Sequence, residues 1–126
     1  FNYDGERLLW DNINKDWSEI LILYLEDIRT YRQYYLAIFT DRGPVPLVEH
    51  YFDYIVRTMA LYMKERTSSV GEDELFAMRY VAYANTCMAK YWLIDGCKMP
   101  EEELAAKLVA AYPSILKDTL SCYLEP

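Results

Sequence analysis

From Leu75 to Ile94 the chain carries only four strongly polar side chains, Arg79, Asn85, Thr86 and Lys90. At roughly 100° per residue, Arg79, Thr86 and Lys90 share one narrow sector. Tyr80, Tyr83, Cys87, Tyr91 and Ile94 lie beside it, and Met78, Val81, Met88 and Trp92 lie round the other side. A helix apolar over most of its circumference has to be covered over most of its circumference. It is therefore either the central helix of a bundle or shared with a second chain. Ala82, Asn85, Thr86 and Ala89 form an edge of small residues where another backbone could approach closely.

The remaining sequence reads as helix almost throughout. Trp17, Ile20, Leu21, Tyr24, Leu25 and Ile28 fall at the three-and-four spacing of one helical face. Asp16 is a candidate N-cap, with Glu19 completing a capping-box-like pair. The stripe shifts phase near Arg29 and Thr30 and resumes as Tyr31, Tyr34, Tyr35, Ile38 and Phe39, which predicts a bend or a second short helix. Asp41-Arg42-Gly43-Pro44 stops it. A helix from about Pro46 to Arg66 buries Val48, Tyr51, Phe52, Ile55, Met59 and Tyr62. Glu49, Asp53 and Arg57 face outward, Asp53 and Arg57 as an i, i+4 pair. After a loop, Glu72, Asp73 and Glu74 open the apolar helix at the end its dipole favours for acids. Asp95-Gly96 closes that helix, Gly96 as a left-handed cap. Pro100 and Glu101–Glu103 start the last segment, where Pro113 should bend or break the stripe Leu104, Leu108, Ala111, Ile115 and Leu116. The expected fold is all-α, one domain over residues 1–126, a bundle of about five to six helices. With 126 residues, 53% of them hydrophobic, a real core is affordable in length, and only four Gly and five Pro disfavour a many-turned β fold.

The net charge is −7 with a pI near 4.7, which argues against nucleic-acid binding as the main business of these residues. Cys87, Cys97 and Cys122 are odd in number and lack CxxC spacing, so neither a disulfide framework nor a metal site is expected, and reduced thiols in a cytoplasm are. No stretch reaches the roughly 18 apolar residues of a membrane span, and no secretory leader opens the chain. A start at Phe1 rather than Met is expected of an excised part of something longer. Catalysis has little to stand on: there is a single histidine, His50, no phosphate-cradling loop and no nucleophile elbow. No catalytic residue and no cofactor is expected.

The positive oddity is aromatic content, with 13 Tyr, 3 Trp and 4 Phe. Tyrosine offers an apolar ring and a hydroxyl that needs a partner. Tyr24, Tyr54, Tyr62, Tyr80 and Tyr83 fall on or near inward stripes of different helices. Converging tyrosines can line a pocket between helices, and they can equally be packing residues. The candidate ligand-binding set is Trp17, Tyr24, His50, Tyr54, Tyr80 and Tyr83, with His50 either a hydrogen-bonding group in that cavity or a helix-boundary residue.

The run Tyr91-Trp92-Leu93-Ile94-Asp95-Gly96-Cys97-Lys98-Met99-Pro100-Glu101-Glu102-Glu103-Leu104-Ala105 resembles a signature of TetR-family transcriptional regulators. In their C-terminal regions a long apolar helix often ends in a Trp-Leu-x-x-Gly-type turn before a Pro-Glu-Glu-Leu-like helix start. The tyrosine-rich stretch 31–42, followed by Gly43, is similar to the family as well, and the resemblance runs from about Trp17 to Leu116. It implies a C-terminal domain that dimerises and holds an inducer while a separate N-terminal helix-turn-helix binds operator DNA. No helix-turn-helix can be read here, so DNA is reached only through a domain outside this chain. The resemblance further implies that the last two long helices, about 72–95 and 100–123, pair with their mates in a dimeric four-helix bundle. Ala82, Thr86, Ala89, Leu104, Leu108 and Ala111 would then line a homodimer interface.

Two functional readings follow. One is a dimerising domain that senses a small apolar or aromatic molecule and shifts between helix arrangements that space two DNA-binding heads differently. The other is a helical interaction and dimerisation domain with no small ligand. An enzyme built in a bundle would need clustered titratable groups in a cleft, which one histidine makes hard.

Overall fold

The six residues Trp17, Ile20, Leu21, Tyr24, Leu25 and Ile28, expected to form one inner face, are the buried residues of a helix running Trp17–Thr30. The computed structural model describes residues 3–67 and 69–121; Phe1, Cys122 and the expected helix end at residue 123 lie outside them. Among the described residues there are seven α-helices and no strand: α1 (Tyr3–Asp11), α2 (Trp17–Thr30), α3 (Arg32–Thr40), α4 (Leu47–Thr67), α5 (Glu72–Ile94), α6 (Glu101–Ala110) and α7 (Ser114–Ser121). α4 packs on α5, α2 on α6, and α7 against both α5 and α4. Leu9, Ile20, Met59, Tyr62, Met78 and Leu116, all fully buried, bring five helices to one core.

The helix number exceeds the expected five to six for two reasons. Tyr31, at φ −110° and ψ 40°, breaks the stripe between α2 and α3. Pro113 lacks an N–H, so the final segment stops at Ala110 and restarts with Leu116 and Lys117 donating to the Pro113 carbonyl. The expected long last helix is thus two short ones, of 10 and 8 residues, and only α5, with 23, is long at this end.

Two local expectations need correcting. Asp16 occupies the N-cap position of α2, but its side chain makes no cap bond and its Oδ1 is buried without a hydrogen-bond partner. Asp53 and Arg57 form no ion pair; Arg57 instead lies over the Tyr54 ring, 5.9 Å from its centroid. A cation over an aromatic face is a competitive alternative to a solvated i, i+4 pair, since each contributes only about 0.5 kcal/mol. At the end of α5, Gly96 has φ +83°, its N–H donates to the Leu93 carbonyl, and the Cys97 N–H donates to the Trp92 carbonyl. These two bonds make a Schellman turn, the closure the Asp-Gly pair predicts.

Candidate functional site

The expected ligand residues lie on α2, α4 and α5. Trp17 and Tyr24 of α2 face Tyr51 and Thr58 of α4 and Asn85, Thr86 and Ala89 of α5 around a cavity of about 30 Å³. That is room for one or two waters rather than a drug-sized molecule. The Thr86 hydroxyl, 3% exposed as a residue, has no hydrogen-bond partner there. Beside it the Trp17 indole N–H (3.0 Å) and the Asn85 amide (2.9 Å) both donate to the Tyr112 hydroxyl. Burial pushes the Tyr112 hydroxyl pKa up, so it stays a neutral acceptor. Tyr112→Phe removes the acceptor of both donors, and a loss of about 2–3 kcal/mol in urea denaturation is expected, more than one surface hydrogen bond contributes.

Of the expected ligand set, the structure gathers Trp17, Tyr24 and Tyr54. Tyr24 and Tyr54 meet edge to face at 6.5 Å. Burial, the largest cause for each, pushes the Tyr24 hydroxyl well above the ordinary tyrosine range and raises that of Tyr54. The Tyr24 O–H donates to the Gly5 carbonyl at 2.7 Å. A Cβ on Gly5 would lie 1.7 Å from the Tyr54 hydroxyl oxygen, so only glycine lets α1 sit this close to α4. The other three residues do not join them. His50 is exposed near the start of α4. Tyr80 and Tyr83 stand on the outer face of α5, Tyr83 stacked on Phe52 with centroids 3.8 Å apart. The inward stripe of α5 is instead Ala77, Met78, Val81, Ala82, Thr86, Ala89, Trp92 and Leu93.

Of the expected subunit-interface residues, Ala82, Thr86, Ala89, Leu104 and Leu108 are buried within the chain itself, and only Ala111 is exposed. The small residues of α5 lie against the chain's own helices. What the chain leaves bare is the opposite sector: Phe76 is 74% exposed, Tyr80 64%, Tyr91 63% and Ile94 60%, with Tyr83 and Cys87 between them. These six positions fall within about 80° of arc, bordered on one side by Arg79 and Lys90.

The turn from α5 into α6 is clasped to α2. The Arg29 guanidinium donates to both Glu101 carboxylate oxygens, at 2.6 and 2.9 Å, and to the Cys97 carbonyl at 2.9 Å. It also lies 5.2 Å from the Trp92 ring centroid, while the Trp92 indole N–H donates to the Met99 carbonyl at 2.8 Å. Sequence reasoning read Glu101 only as a dipole-matched helix start; a partner 72 residues away leaves no local signal. The Arg29 hydrogen bonds hold the Glu101 carboxyl below its ordinary pKa of 4.5. A depressed folded value means the clasp stabilises fully above the ordinary carboxylate range and is lost as the pH falls through the lowered value. Glu101→Gln should therefore cost roughly 1–2 kcal/mol near pH 7 and progressively less below about pH 4. Paired thermal melts of the two proteins at neutral and acid pH check this: parallel losses at both would assign no charge-dependent stabilisation to the pair.

Among the described residues no group of three His, Cys, Asp or Glu side chains is placed to hold a metal, and no helix is long and apolar enough to cross a membrane. No curated protein and no solved structure matches the chain. A family model described as a transcriptional regulator C-terminal region, of the TetR type, matches residues 15–112, from the α1–α2 turn through the Tyr112 acceptor. That match takes in most of a chain whose Trp92 and Glu101 both meet Arg29 across the turn that Gly96 opens, and it shows that the chain belongs to the TetR family of transcriptional regulators, as a C-terminal region.

Proposed function

We propose that this is the dimerising, effector-responsive domain of a cytoplasmic TetR-like regulator, with DNA contacted by a domain outside this chain and no catalysis of its own. The observation that carries the reading is the bare aromatic sector of α5. A contiguous exposed apolar patch on a soluble domain marks an interaction surface, and a twofold axis places the same patch on both partners. The α5 helices of two chains pack together there, with α7 the neighbouring element available to complete a four-helix arrangement. Sedimentation equilibrium at tens of micromolar tests it: a dimer is expected, and a monomer defeats the proposal.

The effector half of the reading rests on Trp17, Tyr24 and the unpartnered Thr86 hydroxyl around the interior cavity. A small apolar or aromatic molecule would enter by widening that cavity and so favour one helix arrangement over another. The small size of the cavity favours the second reading, a dimerisation domain with no small ligand. Native mass spectrometry of the purified chain separates the two: a co-purifying small molecule supports sensing, and a bare chain supports the second reading.

A further inference from the structure

A larger concavity lies elsewhere, on the surface between α1, α2 and α3. It encloses about 390 Å³, inside the roughly 300–1,000 Å³ range of small-molecule sites. Four of its lining residues are tyrosines, Tyr24, Tyr31, Tyr34 and Tyr35, and one is an acid, Asp27. We propose that this cleft binds a small organic cation of the quaternary or protonated tertiary ammonium type, with its charge held between Asp27 and the tyrosine rings.

The chemistry of the lining selects that class. The Tyr34 and Tyr35 rings meet at 80° with centroids 5.4 Å apart, so they form two perpendicular walls. Tyr31, 58% exposed, stands at the rim three residues before Tyr34. Aromatic faces attract cations through the ring quadrupole, best at about 6 Å or less from the centroid. The polar groups deeper in the cleft are acceptors. The Tyr35 O–H donates to Asp27 Oδ2 at 2.6 Å and the Tyr24 O–H donates to the Gly5 carbonyl at 2.7 Å, so both hydroxyls have their protons engaged. Among the described residues no Lys or Arg forms an ion pair with Asp27. A sugar or an anion would need donors that the floor lacks. A hard metal ion would need several more oxygen ligands than one carboxylate supplies. A weakly hydrated ammonium needs one negative charge and ring faces, and the chain's net charge of −7 favours its approach.

The test uses choline chloride as the probe and 3,3-dimethylbutan-1-ol as its uncharged isostere, each titrated into the full chain by calorimetry. Saturable choline binding with a Kd of the order of 1 mM or tighter is expected, with the neutral isostere about tenfold weaker or worse. Asp27→Asn keeps an acceptor for the Tyr35 hydroxyl and removes only the charge. Tyr34→Leu removes a half-exposed ring wall and keeps an apolar side chain against Tyr35. Each should weaken choline about fivefold or more. No saturation below about 20 mM, equal binding of the isostere, or unchanged choline affinity in both variants overturns the proposal. The readout is ligand affinity per chain, so its failure leaves the dimer reading, tested by sedimentation, standing.

Discussion

Tyr80→Lys combined with Tyr91→Lys is expected to turn the proposed α5-paired dimer into a folded monomer. Both side chains are more than 60% exposed on the outer face of α5, so neither supports the subunit's own core. Aromatic residues at the centre of an interface commonly contribute about 2 kcal/mol or more each when truncated, and two lysines facing their mates across a twofold axis add like-charge repulsion. The dimer dissociation constant should rise by about a thousandfold, while far-UV circular dichroism keeps its helical signature. Ala82→Lys and Ala89→Lys supply the contrast. Those alanines are buried inside the subunit, so a buried, unpaired lysine should unfold the chain rather than release its partner. Dimeric Tyr80→Lys/Tyr91→Lys protein in sedimentation equilibrium would move the interface to some other face.

The largest loss of subunit stability is expected at Tyr62. Its side chain is fully buried, with the Trp17 ring at a centroid distance of 5.1 Å and the Arg66 guanidinium 4.5 Å above it. Its hydroxyl donates to the Lys15 carbonyl at 2.8 Å. Arg66 donates to the Ile13 carbonyl and, at 2.8 Å, to the Lys15 carbonyl. Two side chains one turn apart on α4 thus satisfy carbonyls of the α1–α2 turn. Tyr62→Ala removes a core ring and one of those bonds, and a loss of about 4 kcal/mol is expected, a large share of the 5–15 kcal/mol that holds a typical domain together. Tyr62→Phe keeps the ring and should lose only about 1 kcal/mol. Urea denaturation of both variants separates packing from hydrogen bonding; similar losses in the two would place the energy in the hydroxyl.

Periodicity made most of the helices legible, because an apolar face against a core repeats every three to four residues regardless of what covers it. That is why α2, α4 and the Gly96 closure of α5 could be read from residues alone. The same reasoning recognised that α5 is too apolar all round for a single cover. It expected the small edge to meet another backbone, because small and large apolar residues satisfy the pattern equally. The small edge at Ala82, Thr86 and Ala89 is the one that α5's own neighbours need, and the bulky edge at Phe76, Tyr80 and Tyr91 is left outside. The pairing of Arg29 with Glu101 and the meeting of Gly5 and Leu8 of α1 with Asp27 and the tyrosines depend on how helices are placed, which no local spacing encodes. The Trp92 to Glu101 signature carried the family, but its residues brace the α5–α6 corner and say nothing of a ligand.

The missing side chain at Gly5 has a mechanical consequence. With the Tyr54 hydroxyl lodged against its α-carbon and the Tyr24 hydroxyl gripping its carbonyl, α1 is pinned at one point along its length. A shift of α1 that brought Glu6 to this point would drive its Cβ into the Tyr54 oxygen. The first helix is therefore held in register at two points, the Gly5 contact and, four residues on, Leu9 buried in the core.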